Sequence, residues 1–136
     1  LTDAEFAIMK THAEIGYQIL KDKETLETAA EIAYTHHERW DGKGYPQGLE
    51  KENIPLSGRI VAIADTYDAL RSIRPYKLPF NHEESAEWIK KSSGTAFDPD
   101  LVKVFTKVEH KMEEIFNSQY DPKLAEAILK KSLDAL

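Results

Sequence analysis

The chain has 136 residues, of which 41% are hydrophobic and 31% charged, with a net charge of −6 and no cysteine. That length suits one core, and the composition is too apolar for general disorder. The composition excludes disulfides and thiolate metal sites, and the negative charge argues against non-specific DNA binding. No apolar run approaches the roughly 18 residues of a membrane span, and no basic leader precedes an apolar stretch, so a cytoplasmic protein is expected. Any metal must be held by imidazole, carboxylate and water.

Thr2 with Glu5 forms a capping-box pattern, and Phe6, Met9, Ala13, Gly16 and Leu20 follow at helical spacing. A second helix is predicted from about Thr25 to His36, with Leu26, Ala29, Ala33 and His37 on one stripe. It should stop at the glycine-rich run from Asp41 to Gly48, which favours turns. Pro55 suits the first turn of a third helix with Leu56, Ile60, Ile63, Tyr67 and Leu70 on its apolar face.

Pro75 and Pro79 mark the next break, and Asn81 with Glu84 caps a short helix through Trp88 and Ile89 that ends at Gly94. Asp98-Pro99 starts a long helix with Leu101, Val102, Phe105, Val108, Met112 and Ile115 on one side, and Asp121-Pro122 starts a last one reaching Leu136. No β-type alternation competes, so the fold class is all-α.

His36 and His37 are adjacent at a predicted helix end. Neighbours on a regular helix point about 100° apart, so both can serve one centre only if the helix ends there or two ions sit side by side. A pair of half-exposed surface histidines is the plainer alternative. His12 shares a stripe with Ile8, Ile15 and Ile19, where a histidine is more often a hydrogen-bonded core residue than a ligand.

Asp65 lies in a helix otherwise built for burial, and a buried carboxylate needs a partner or a metal. An ion pair with Arg59, six residues away on the same helix, is awkward. Three histidines and one aspartate on three helices make a non-thiolate ligand inventory. His82 is expected to be solvated in a capping segment and His110 to lie on a charged face. Arg74 and Lys77 flank Pro75-Tyr76, where they either hold a phosphate or remain solvated cations.

The run His36-His37-Glu38-Arg39-Trp40-Asp41-Gly42-Lys43-Gly44-Tyr45-Pro46-Gln47-Gly48-Leu49 closely resembles the signature of the HD-GYP family, bacterial cyclic di-GMP phosphodiesterases of the HD phosphohydrolase superfamily. Ile54-Pro55-Leu56, Ile63-Ala64-Asp65, Arg74-Pro75-Tyr76 and Phe97-Asp98-Pro99 extend the likeness. It implies an HD-domain-like helical bundle over residues 1–110 and a helical tail over 111–136. It also implies hydrolysis of cyclic di-GMP to pGpG and then GMP.

By the same resemblance, His12, His36, His37 and Asp65 fall on metal-ligand positions for divalent ions, expected as a pair of iron or manganese. Arg74, Lys77 and Tyr45 fall on substrate-binding positions, and Gly44, Tyr45 and Pro46 on the loop that names the family. The family's His-Asp motif and its lysine belong upstream of Leu1, and no His-Asp dipeptide occurs in this chain. The expectation is an N-terminally incomplete bundle, inactive alone, whose uncovered apolar surface favours a homodimer. The alternative is a degenerate binding module that docks on a partner such as a diguanylate cyclase domain.

Overall fold

The computed structural model describes residues 2–73, 78–119 and 123. Among them are five α-helices: α1 (Asp3–Leu20), α2 (Glu27–Thr35), α3 (Leu56–Arg71), α4 (His82–Lys91) and α5 (Pro99–Gln119). No strand occurs among the described residues, although an isolated parallel bridge pairs Ser93 with Phe97. Arg74, Lys77 and the helix expected after Asp121-Pro122 lie outside the described residues.

Both sequence-read capping boxes are present. Thr2 accepts from the Glu5 amide at the start of α1, and Asn81 accepts from the Glu84 amide at the start of α4. These side chains satisfy amides that the first helical turn leaves without a partner. Other boundaries shift. A 3-10 turn over Glu24–Leu26 delays α2 to Glu27, and Pro55 is the N-cap of α3 rather than part of its first turn.

Each helix packs chiefly on its neighbour in sequence. Small residues bring the first three close together: a Cβ on Gly16 would meet the Ala33 Cβ at 3.3 Å, and one on Gly58 would collide with Thr35. The second contact sets α3 directly against the C-terminal end of α2. The main core gathers Ala62, Ile63, Tyr67, Ala86, Ile89, Phe97, Val102 and Phe105 from α3, α4, α5 and the loop before α5. Arg59 locks the two ends of this unit together, donating to the Ile54 carbonyl at 2.8 Å and to Asp98 at 2.6 Å.

Two sequence-read faces are corrected. On α5 the inward line is Val102, Phe105, Met112 and Phe116, whereas Val108 and Ile115 face out; the observed line keeps closer to a single stripe. On α3, Ile63 and Tyr67 are buried as expected, but Leu56 and Ile60 are about half exposed. Ile8, Ile15 and Ile19 on α1 are exposed as well, so one apolar side of α1 and α3 carries no cover among the described residues. Among the described residues no helix is long and apolar enough to cross a membrane.

Candidate metal centre

α2 ends at Thr35 with His36 as its C-cap, still αR and with its amide bonded to the Ile32 carbonyl, so His37 is the first residue released from helical geometry. That is how two adjacent histidines come to face one point. His12 approaches the same point from the middle of α1. The ring nitrogens of His12, His36 and His37 include one set lying within 4.8 Å of one another. The His12 and His37 Nε2 atoms are 3.0 Å apart.

Backbone carbonyls fix two of these rings. His12 Nδ1 lies 2.6 Å from the Met9 carbonyl, and His36 Nδ1 lies 2.9 Å from the Ile32 carbonyl. A carbonyl only accepts, so each Nδ1 carries a proton and leaves Nε2 as the nitrogen that can face a metal, a hydrogen bond of the kind that orients metal-ligating imidazoles. Burial, aided by His36 and His12, pushes the His37 pKa down to about 4, while Asp65 opposes the shift. His37 is therefore neutral at physiological pH and available as a donor. Three imidazoles converging without thiolate fit a divalent transition ion.

Asp65 departs from expectation in one respect: it is exposed, not buried. Ile60 and Ala64 on the same helix are exposed too, with nothing covering them among the described residues. Asp65 stands outside the histidine trio, yet near enough for its charge to act on both His37 and Tyr45. Arg59, considered as its partner, is committed to Asp98 instead.

The glycine-rich loop forms a wall of this centre. Tyr45 stacks on His37 with ring centroids 4.8 Å apart and 29° between planes, and its hydroxyl reaches toward the Met9 sulfur. The Tyr45-Pro46 peptide is cis. Burial, with Asp65 adding to it, raises the Tyr45 pKa, so the phenol keeps its proton. Lys10 lies over the Tyr45 ring at 5.7 Å, placing a cation beside the cluster.

Gly44 rests so tightly on the chain that a Cβ would collide with the backbone of His37, Glu38 and Arg39. Glu38, to which sequence reading gave no role, is buried beneath the loop and accepts from the amides of Gln47 and Leu49. A charged residue between a histidine pair and a glycine run reads as exposed. Only its fixed place in the signature hinted otherwise.

His82 is another correction. Instead of being solvated, its side chain is 11% exposed, bonds to the Tyr67 hydroxyl at 2.8 Å and lies 3.9 Å from Glu113. Its place just after a helix cap turns it inward toward α3 and α5. It is remote from the trio in the fold's connectivity, and His110 is exposed as expected.

A family model described as HD domain matches residues 1–101. The chain belongs to the HD-domain family. This HD domain is 47% identical over 123 residues to a cyclic di-GMP phosphodiesterase of Thermotoga maritima, covering 89% of the chain and 33% of the relative. It is 50% identical over 122 residues to a cyclic di-GMP phosphodiesterase of Vibrio cholerae, covering 85% and 25%. The chain thus spans a third or less of the length of these curated relatives. A crystal structure of a cyclic GMP-AMP specific phosphodiesterase from V. cholerae shares the fold, with a TM-score of 0.67 at 22% identity over 95% of this chain and 30% of that one.

Proposed function

We propose that this HD domain is part of a metal-dependent phosphodiesterase that hydrolyses cyclic di-GMP to pGpG and then GMP. The observation that carries the reading is the convergence of His12, His36 and His37, two of them with the ring oriented by an Nδ1–H bond to a backbone carbonyl. The names of the T. maritima and V. cholerae relatives support the substrate.

In this reading His12, His36, His37 and Asp65 hold divalent ions, as a pair of iron or manganese. Four side chains are too few to fill two coordination spheres, so water, substrate oxygens and further protein ligands complete them. The bound metal supplies Lewis acidity and neutralises charge on the phosphoryl group. The chain's own residues do the rest. Tyr45 walls one side of the cluster and offers a protonated hydroxyl, and Lys10 opposes phosphate charge from α1. Arg74 and Lys77 bind the substrate's phosphate or guanine, Arg by its planar fork and Lys as a point charge.

The whole protein that carries this domain, purified as wild type and as His36→Ala, tests the proposal by elemental analysis and by hydrolysis of cyclic di-GMP beside 3′3′-cGAMP. Wild type should hold iron or manganese and release pGpG, and the variant should lose both properties. Wild-type protein that binds neither metal and cleaves neither dinucleotide would instead favour a docking module. The chain's lack of a His-Asp dipeptide is what keeps that second reading in play. The 136 residues alone should show no turnover, because their ligand set is partial.

A further inference from the structure

Glu38 is only 3% exposed and follows directly on α2 and the histidine pair. That is an unfavourable place for an anion, since the helix dipole puts partial negative charge at this end and burial removes water. Neither carboxylate oxygen bonds to a histidine among the described residues. One accepts from the Gln47 amide at 2.7 Å and the other from the Leu49 amide at 3.0 Å. Arg39, the adjacent cation, is turned away and held by Asp41. Two charge-assisted bonds to a loop are thus what compensates the buried charge.

The loop needs such a hold. Gly42, Gly44 and Gly48 give it wide conformational freedom, and Gly42 and Gly48 have positive φ angles of 74° and 69°. Between the bonded amides and the Tyr45 amide, which donates to the His37 carbonyl at 3.2 Å, the segment is fixed along its length. What this fixes in space is the Tyr45 ring on His37.

We propose that Glu38 is a positioning residue for the phosphodiester site: its carboxylate holds residues 44–49 so that Tyr45 remains stacked on His37, and it acts on substrate through that ring rather than on metal binding. The effect on substrate rests on the function proposed above, whereas the hold on the loop does not.

The test uses Glu38→Gln and Glu38→Ala in the whole protein. Glutamine keeps the shape and one acceptor but presents an NH2 to the other amide. Hydrogen exchange in a peptide spanning 44–49 should become roughly tenfold faster in Glu38→Gln, and faster still in Glu38→Ala. Metal content should stay at the wild-type level, and KM for cyclic di-GMP should rise more than kcat falls, with Glu38→Gln the milder variant. Loss of metal with unchanged exchange would overturn the proposal, since Glu38 would then serve the ligands. Faster exchange with unchanged kinetics would overturn it too. Should wild type prove inactive on cyclic dinucleotides, the phosphodiesterase reading fails, while the exchange result still decides whether Glu38 holds the loop. If Glu38→Ala does not fold, Glu38→Gln alone decides between these outcomes.

Discussion

Asp98 does two jobs with its two oxygens. One accepts from Arg59 at 2.6 Å, and the other accepts from the Asp100 amide at 2.8 Å, capping α5. With Asp98 7% exposed and the Arg59 side chain 17% exposed, the pair is largely shielded from water. Removing one partner of such a pair leaves an uncompensated charge, a loss of roughly 3–5 kcal/mol when burial is complete. Arg59 keeps its bond to the Ile54 carbonyl, so about 3 kcal/mol is the appropriate end of that range. The lost cap adds about 1 kcal/mol, giving about 4 kcal/mol for Asp98→Ala.

Asparagine caps helices as well as aspartate does, so Asp98→Asn should lose only the charge and cost about 3 kcal/mol. The order is measurable by urea denaturation followed by circular dichroism, where the midpoint should fall with the slope unchanged. Equal losses for the two variants would refute the division into cap and charge. A loss below about 1 kcal/mol for Asp98→Ala would refute the claim that the pair is buried in any energetic sense. The metal centre should feel the change, because the Trp40 and Asp41 amides donate to the carbonyls of Ala96 and Thr95 just ahead of Asp98.

Gly44→Ala should destabilise the protein by about 1–3 kcal/mol, because the added Cβ meets backbone that cannot swing aside; an unchanged urea midpoint would mean the loop relocates freely. A pH titration of the metal-free protein offers another check. The His37 pKa is about 4 in the folded chain against 6.5 ordinarily. Below pH 6.5 the unfolded chain therefore binds a proton that the folded chain refuses, and stability should fall as pH drops from about 6.5 toward 4. His37→Asn should flatten that part of the curve, and an identical slope in the variant would assign the effect to other groups.

Much of the architecture was legible because its signals are local. Thr2 with Glu5 and Asn81 with Glu84 announce helix starts within four residues, and Asp98-Pro99 does the same for α5. The histidine pair was readable for a similar reason, since the glycine run that ends α2 adjoins it. What failed was whatever depends on distant partners. Arg59 finds Asp98 across 39 positions, and no spacing rule reveals that choice. Asp65 lies in an apolar helix, but burial depends on what packs over a face, and nothing described covers that one. Glu38 drew no role from the sequence because its partners are backbone amides, which leave no mark there.

The neighbour-on-neighbour order of the helices has a consequence for assembly. Contacts that are mostly local in sequence incur little loop-closure entropy, so such chains collapse rapidly and can form pairwise units early. Helices α1 and α2 make one such unit, joined by small residues rather than by the aromatic core of α3 to α5. His12 stands on one arm of that hairpin and His36 and His37 at the end of the other. An ion bound among them would staple the hairpin shut, making a unit that buries only Ala13, Ala30 and Thr35 in its helices a beneficiary of its own ligand by mass action.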